Sequence, residues 1–321
     1  MTGDPRRPRR VLVSGATGLV GREIVAALFA QGDEVVRLSR RRSKSGTIQW
    51  DPEERQIDAG ALSGFDAVLH LAGESIDGRW TAEKKYRIRE SRIAGTKFLC
   101  EVLEGVPAPP SVFLQASAIG YYGDRGDELL REDSAPGQGF LADVCREWEK
   151  AAEPLKGRAT RIAALRIGMV LSLDGGGLPR MLTPIRFGLG GRLGSGCQHV
   201  SWIHIDDLVD AFLHGLDEAD IAGPINCVAP ETVTNMELTR KLAKILRRPA
   251  WLPLPEFAGR WILGEMADEV LFSSARVDPT RLLKSGFSFR YPNLDAALEH
   301  LFEEEFPDDS DQPRAARNSS M

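Results

Sequence analysis

The 321-residue sequence is short of cysteine, of long apolar runs and of excess positive charge. Its four cysteines contain no C-x-x-C pair, and nothing like a secretory segment precedes the first apolar run, so we expect no disulfide framework and a cytoplasmic address. No run of about 18 apolar residues could span a bilayer. The 41 basic and 46 acidic residues give a net charge of −5, a poor match for nucleic acid or an anionic membrane.

Short aliphatic runs alternate along the chain with longer segments of helical periodicity. Most of these runs are apolar on both faces, as parallel strands are when helices cover both sides of the sheet. The predicted strands are Val11–Ser14, Glu34–Leu38, Ala67–Leu71, Ser111–Ala116, Arg161–Ile167 and Pro224–Val228. The predicted helices are a segment from Leu19 that ends before Gly32, and Thr81–Leu103, Phe140–Ala152, Ile205–Leu216 and Asn235–Leu246. The alternation predicts an α/β fold of the Rossmann type, with a doubly wound parallel sheet.

The turn after the first predicted strand carries three glycines at a spacing of three residues, Gly15, Gly18 and Gly21. In a dinucleotide-binding turn such glycines allow a tight bend, a close approach of backbone amides to a diphosphate, and close packing of the helix on the strand. The positive end of the helix then faces the phosphates. The alternative is a glycine-rich turn that binds nothing. The predicted dinucleotide contacts are Gly15, Thr17, Gly18, Leu19, Val20 and Gly21.

The end of the second strand decides which dinucleotide fits. A carboxylate at this edge would hold the 2′-hydroxyl of NAD, but the sequence continues as Ser39-Arg40-Arg41-Arg42-Ser43-Lys44. The nearest carboxylates, Asp33 and Glu34, lie at the opposite end of the strand, about 17 Å away. Because arginine binds phosphate through a fork of donors, Ser39, Arg40 and Arg41 predict NADP(H) as the cofactor. The alternative is a solvated arginine-rich loop.

Changes in composition divide the chain into four predicted parts. Residues 1–9 are basic and proline-rich and are expected to form a flexible arm. Residues 10–246 are predicted to form the NADP(H)-binding Rossmann domain, with glycine-dense loops at 175–177 and 188–196 on its substrate side. Residues 247–302 contain an amphipathic stretch, Phe257–Phe272, and are predicted to form a small, mostly helical C-terminal cap. Residues 303–321 are acidic and are expected to be a disordered tail.

These motifs together resemble the extended short-chain dehydrogenase/reductase superfamily of nucleotide-sugar epimerases and dehydratases. The resemblance covers most of residues 10–300 and is carried by Gly15–Gly21, Asp66–Gly73, Gly95-Thr96, Gln115–Ser117 with Tyr121–Gly123, Arg166–Gly168 and Trp202–Asp207. It implies a cofactor site that also includes Leu71, Ala72, Gly73, Glu74 and Arg166.

A narrower set of motifs is similar to an atypical epimerase-family branch, which includes bacterial YfcH and mammalian short-chain dehydrogenase 39U members. These motifs are Leu71–Glu74, Arg79-Trp80, Glu90–Arg92 and Ser117–Gly123. The predicted cap, with Phe287 and Tyr291-Pro292, resembles the C-terminal domain of unknown function in that branch. The resemblance implies NADP(H) and leaves the substrate open.

The catalytic tyrosine and lysine of the superfamily, spaced four residues apart on one helix, are missing here. In the helix that should carry them, Phe140 is followed by Val144 and Leu141 by Cys145. Without the cation, a phenol keeps a pKa near 10 and is a poor base at pH 7. Ser117 retains the position of the superfamily's catalytic serine. Tyr121 is the candidate proton donor, and the alternative is that it only lines the pocket.

Other polar residues are weaker candidates. His70 lies within an apolar strand and is expected to be a hydrogen-bonded core residue. His199 and His204 are five residues apart in a segment that reads as a strand leading into a helix, so no metal site is predicted. Glu74 faces either the site or solvent, and Cys145 is either a reactive thiol or a buried structural one.

Two functions stay open from the sequence. One is an NADP(H)-dependent oxidoreductase or epimerase-like enzyme, which acts on a small hydroxyl or carbonyl metabolite by hydride transfer with help from Ser117 and Tyr121. The other is a catalytically silent NADP(H)-binding redox sensor or regulatory scaffold, which would explain the missing tyrosine and lysine. The predicted partner is a small-molecule substrate, with no nucleic acid and no membrane, and a homodimer is left open.

Overall fold

A large, mostly parallel sheet with helices on both faces forms the centre of the fold. A computed structural model describes residues 7–41 and 46–303. Its strands are β1 Arg10–Ser14, β2 Glu34–Ser39, β3 Thr47–Asp51, β4 Gln56–Ile57, β5 Ala67–His70, β6 Val112–Ala118, β7 Leu129–Leu130, β8 Arg161–Ile167, β9 Met169–Leu171, β10 His199–Val200, β11 Trp202–His204, β12 Gly223–Cys227, β13 Val233–Thr234 and β14 Arg276–Val277. Its α-helices are α1 Leu19–Ala30, α2 Ala82–Gly105, α3 Phe140–Lys150, α4 Gly177–Arg186, α5 Ile205–Asp217, α6 Asn235–Ile245, α7 Glu256–Leu263, α8 Thr280–Lys284 and α9 Leu294–Glu303.

The strand order within the described residues is β12-β8-β6-β5-β1-β2-β3-β4. All neighbours are parallel except β3 and β4. On one face, Ile24 and Leu28 of α1 pack with Phe212 of α5, and on the other face Phe98 and Leu99 of α2 pack against the sheet. The chain order reverses between β5 and β1, where a doubly wound sheet leaves a crevice at its carboxyl edge.

The predicted α/β Rossmann-type fold is confirmed, with small shifts at the element ends. All six predicted strands occur in the large sheet. Thr81 caps α2 by accepting a hydrogen bond from the Lys84 amide, and Thr234 forms a capping box with Glu237 at the start of α6. Gly32 has the positive φ of 81° expected just after a helix.

Strands β3 and β4 and helix α4 are among the elements that were not predicted. Strands β3 and β4 are short, lie at the sheet edge and carry only one fully buried side chain, Trp50, so their apolar signal is weak. Helix α4 begins within the glycine-dense segment 175–177 and contains Pro179 and Pro184, which mask its helical pattern.

The C-terminal region is helical, as predicted. Its stretch Phe257–Phe272 divides into α7 and a π-helical turn, Ala267–Phe272. Met266 packs with Trp80 and with Ile88 of α2, so this region covers the carboxyl edge of the sheet beside the crevice. The proposed domain boundaries stay predictions.

Parts of the predicted terminal arm and tail lie outside the described residues. Arg9, which the prediction placed in the arm, is held instead by Asp33, to which its Nη2 donates at 2.9 Å, and by Asp217 at 2.7 Å. Within the described ranges, none of the helices has the length and apolar composition that a membrane crossing requires.

Candidate functional site

The glycine turn between β1 and α1 is packed too closely for side chains at two of its positions. Gly15 has a φ of 69°, and a Cβ atom there would lie 2.7 Å from the Leu71 carbonyl. A Cβ atom at Gly21 would lie 2.2 Å from the Gly15 oxygen. Gly18, which precedes α1, has no side chain to cap the helix, and the first turn contains no acidic residue. The helix therefore begins with free backbone amides at an exposed turn, which is the geometry that binds a phosphate.

The loop after β5 forms the other wall of the crevice and is fixed by Ser14. The Ser14 hydroxyl accepts hydrogen bonds from the amides of Leu71 at 3.0 Å and Ala72 at 3.2 Å. It also contacts Nδ1 of His70 at 2.7 Å, while Nε2 of His70 contacts Thr96 at 2.9 Å. Burial lowers the pKa of His70 to about 4, so the ring is neutral. His70 is thus confirmed as a hydrogen-bonded core residue.

The end of β2 presents cations at the edge of the crevice. Arg40 and Arg41 are exposed, and neither has an ion-pair partner among the described residues. The Arg41 amide donates to the Ser39 hydroxyl at 3.2 Å, which turns the chain at the strand end. The arginine and lysine of the segment 42–45 lie outside the described residues.

Glu74 is ion-paired at the mouth of the crevice. The hydrogen bond from Lys84 at 2.8 Å lowers the pKa of Glu74, and the charges of Arg87 and Arg40 lower it further. The end of β2 and the loop after β5 lie at the same edge of the sheet, because both strands pair with β1 in parallel. Gly73, beside Glu74, is exposed.

Ser117 lies at the end of β6, but its proton is already engaged. Its hydroxyl donates to Glu149 of α3 at 2.7 Å, and the same carboxylate accepts two hydrogen bonds from Arg166, each at 2.8 Å. Arg166 also donates to the Tyr122 hydroxyl at 2.9 Å. The donors of Arg166 are therefore occupied within the protein, and its predicted contact with the cofactor stays a prediction.

The two tyrosines after β6 differ in their surroundings. Tyr122 is fully buried, and its hydroxyl contacts Asn226 at 2.7 Å, while burial raises its pKa to about 12. The Tyr121 ring stacks on Arg166, with the guanidinium carbon 3.5 Å from the ring centre. The Tyr121 hydroxyl has no hydrogen-bond partner among the described residues. Of the two phenols, only that of Tyr121 is free to meet a substrate.

The part of α3 that lies against Gly120, in the loop after Ser117, carries Leu141 and Cys145. A Cβ atom at Gly120 would lie 3.3 Å from Leu141 and 3.9 Å from the Cys145 sulfur, so these two residues, which form one of the two registers considered for the missing tyrosine and lysine, face this loop. Burial raises the pKa of the Cys145 thiol to about 12, which favours the structural role over the reactive one.

A cavity of about 320 Å³ lies between Gly120, the start of α3 and the C-terminal region. Its charged side chains already have protein partners. Arg260 pairs with Glu256 at 2.9 Å and with Asp268 at 2.6 Å. Glu269 accepts hydrogen bonds from the Phe140 and Leu141 amides, each at 2.7 Å, and so caps α3 from the C-terminal region.

Arg92 of α2 is a site residue that sequence reasoning placed only within a family motif, with no role of its own. A Cβ atom at Gly73 would lie 3.2 Å from the guanidinium carbon of Arg92. The same carbon lies 5.1 Å from the centre of the Trp148 ring. Its position in the helix was a usable signal, because Ile88, Arg92 and Leu99 follow the buried stripe of α2. A cation on the buried face of a helix is unusual enough to mark a site.

Within residues 7–41 and 46–303, one group of side chains has the spacing of a metal site: His204, Asp206 and His300. Nδ1 of His204 accepts a hydrogen bond from the Asp206 amide at 3.1 Å, and a neutral imidazole has a single lone pair to offer. Its Nε2 therefore carries the proton and faces Nδ1 of His300 at 3.3 Å. The arrangement ties α5 to α9 by hydrogen bonds, and the absence of a metal stays a prediction.

Comparisons with known proteins agree with this geometry. The NAD dependent epimerase/dehydratase family matches residues 11–144, and a domain of unknown function, DUF1731, matches residues 254–301. An epimerase family protein of Mycobacterium leprae is 38% identical over 294 residues, which cover 90% of this chain and 94% of the relative. The chain belongs to the epimerase family.

Other members of the epimerase family extend the likeness. Human epimerase family protein SDR39U1 is 36% identical over 91% of this chain and 99% of its own. The crystal structure of human SDR39U1 isoform 2 with NADPH superposes with a TM-score of 0.85 at 35% identity, covering 92% of this chain and 99% of that one. The resemblance to the epimerase family, the Rossmann-type fold and the DUF1731 region is confirmed.

Proposed function

We propose that the chain binds NADP(H) across the carboxyl edge of its sheet and transfers a hydride to or from a small hydroxyl or carbonyl metabolite. The observation that carries this proposal is the glycine turn, where Gly15 and Gly21 pack on backbone atoms and α1 begins with unoccupied amides. Human SDR39U1, which is 35% identical, was crystallised with NADPH.

The cofactor would be held by three segments. The diphosphate would meet the amides of the turn from Gly15 to Gly21, which also contains Thr17, Leu19 and Val20. The 2′-phosphate would meet Arg40 and Arg41 beside Ser39, because these exposed guanidinium groups have no carboxylate partner among the described residues. The loop of Leu71, Ala72, Gly73 and Glu74 would border the ribose on the nicotinamide side.

When bound, the cofactor supplies or accepts a hydride at the substrate carbon. The chain must then supply or accept a proton at the substrate oxygen. Tyr121 is our proposed proton donor, because its hydroxyl has no hydrogen-bond partner among the described residues and its ring is held against the Arg166 guanidinium. Ser117 would orient the site through Glu149, to which it donates its proton.

The cofactor assignment predicts that NADPH binds more tightly than NADH in calorimetric titration. Replacing Arg40 and Arg41 by alanine should weaken NADPH binding about tenfold or more and leave NADH binding unchanged, because only NADPH carries the 2′-phosphate. Arg37→Ala is the matched control, since this arginine is also exposed on β2 but precedes the strand end. Equal affinities of the unaltered protein for the two cofactors would remove the proposed role of the arginines.

A Gly18→Leu variant tests the turn itself. A Cβ atom at Gly18 contacts only the Gly15 oxygen, at 3.3 Å, so the fold should tolerate the change while the side chain fills the phosphate position. NADPH binding should be lost. Full retention of NADPH affinity would place the cofactor elsewhere.

A second candidate function is a silent NADP(H)-binding sensor. It is favoured by Leu141 and Cys145 on the face of α3 toward the site, and by the engagement of the Ser117 proton with Glu149. A screen of the NADPH-loaded protein against carbonyl metabolites, read by nicotinamide absorbance, distinguishes the two functions. An enzyme should show turnover that falls in Tyr121→Phe, whereas a sensor should bind NADPH and consume none with any compound.

A further inference from the structure

Arg92 stands out because it is a partly buried cation without an ion-pair partner. No carboxylate within the described part of the chain pairs with it. The nearest acidic residue along the crevice, Glu74, binds Lys84 with its carboxylate and meets Arg92 only through its backbone oxygen. Arg166, by contrast, has a bidentate partner in Glu149.

Only one of the three guanidinium nitrogens of Arg92 donates a hydrogen bond to another described residue. Nη1 donates to the backbone oxygens of Glu74 at 2.9 Å and Ile88 at 3.2 Å. Nε and Nη2 have no hydrogen-bond partner among the described residues, yet neither is sealed from solvent as an unsatisfied buried atom. These two nitrogens form the side of the guanidinium that holds a carboxylate or phosphate by two parallel hydrogen bonds.

The guanidinium of Arg92 lies at the edge of the crevice. Gly73, which covers the guanidinium, is exposed and lies at the carboxyl end of β5. The charge of Arg92 partly offsets the rise in the pKa of the Cys145 thiol on α3, whose sulfur lies near Gly120. Burial lowers the pKa of Arg92, and the charges of Cys145 and Glu74 offset this effect only in part.

We propose that the Nε and Nη2 side of Arg92 binds the carboxylate of the substrate, so that the metabolite taken by this site is a hydroxy or oxo acid. This inference rests on the proposed function, because it names the substrate class of the same crevice. A bound carboxylate would provide the ion-pair partner that Arg92 lacks among the described residues. It would also hold the substrate beside the loop of Ser117 and Tyr121.

The same fork chemistry would suit the diphosphate of the cofactor, so the experiment separates the two anions. Calorimetry would follow malonate, a small dicarboxylate, binding to the NADPH-loaded protein, with its neutral diamide malonamide as the comparison compound. Malonate should bind saturably and malonamide should not. Arg92→Gln should weaken malonate binding about tenfold or more and leave NADPH affinity unchanged.

Two further variants keep the test decisive. Arg92→Lys retains a charge that can donate to the two backbone oxygens, so it should fold and bind NADPH, but it lacks the fork and should also bind malonate more weakly. Arg89→Gln, on the same helix but paired with Glu147, should leave malonate binding unchanged. Equal malonate affinity in the protein and its Arg92→Gln variant, or no saturable binding by either, would overturn the proposal.

If Arg92→Gln also loses NADPH affinity, the Nε and Nη2 side of Arg92 binds the cofactor. That result would overturn the proposal that this side binds the carboxylate of the substrate. Failure of NADPH to bind the unaltered protein would reject the proposed function instead. In that case malonate titration of the cofactor-free protein still tests the fork by itself.

Discussion

Replacing Glu149 by glutamine should destabilise the fold far more than the same change two residues earlier on α3. The Arg166 side chain is only 3% exposed, and it donates two hydrogen bonds of 2.8 Å to Glu149, which accepts a third from Ser117. Glutamine keeps the shape but leaves a buried guanidinium without its counter-charge. Removing one partner of a buried ion pair costs about 3–5 kcal/mol, and we expect the lower end because Glu149 is itself 15% exposed.

Glu147→Gln is the matched control. Glu147 pairs with Arg89 on α2, and both side chains are at least one-third exposed, so its loss should cost less than about 1 kcal/mol. Urea unfolding, followed by tryptophan fluorescence and circular dichroism, would measure both free energies. Similar values for the two variants would refute the reasoning that burial decides the cost.

A double variant, Glu149→Leu with Arg166→Met, adds a check on the cause. If the unpaired charge produces the loss, removing both charges should recover much of the stability that Glu149→Gln loses. A double variant less stable than Glu149→Gln would instead attribute most of the loss to packing and to the broken hydrogen bond between Arg166 and Tyr122.

Two further predictions concern other parts of the site. The pKa of His70 is lowered to about 4 in the fold from about 6.5 in the unfolded chain. Its contribution to the free energy of unfolding is therefore complete above pH 6.5 and is lost as the pH falls toward 4, by about 3 kcal/mol in total. Urea midpoints between pH 7 and 4 should fall less steeply in a His70→Gln variant, and parallel curves would contradict this assignment. Glu269→Ala should cost about 1–2 kcal/mol of unfolding free energy, since it removes the two hydrogen bonds that cap α3, whereas Glu256→Ala in the same cavity should change stability by less than about 0.5 kcal/mol. Equal losses in this pair would argue against the capping role.

The parts of the fold that were predicted correctly are those whose signal is local. Strands such as Val11–Ser14 are apolar on both faces, a pattern that is visible in the sequence itself. The strand Thr47–Asp51 was missed because Trp50 is its one buried side chain, so its apolar signal is weak.

The candidate site likewise contains a part with a local signal in the sequence and parts without one. The glycine turn is contiguous in sequence and was predicted with its neighbours, whereas the Glu149 and Arg166 pair joins a helix to a strand 17 residues later. The contact between Glu269 and the amide of Phe140 spans 129 residues. Spacing rules carry no information about such contacts, because they depend on how separate elements pack.

The proposed binding of the substrate by Arg92, an arginine, restricts the chemistry that the site can perform. A lysine beside a phenol can exchange protons when its pKa is lowered, but an arginine stays protonated at any ordinary pH. Arg92 can therefore attract an anionic substrate and stabilise negative charge on the substrate oxygen, but it cannot transfer a proton. The proton must come from Tyr121 or from water, so turnover by an active enzyme should fall in Tyr121→Phe. Turnover by that variant at the rate of the unaltered protein would leave water as the proton source.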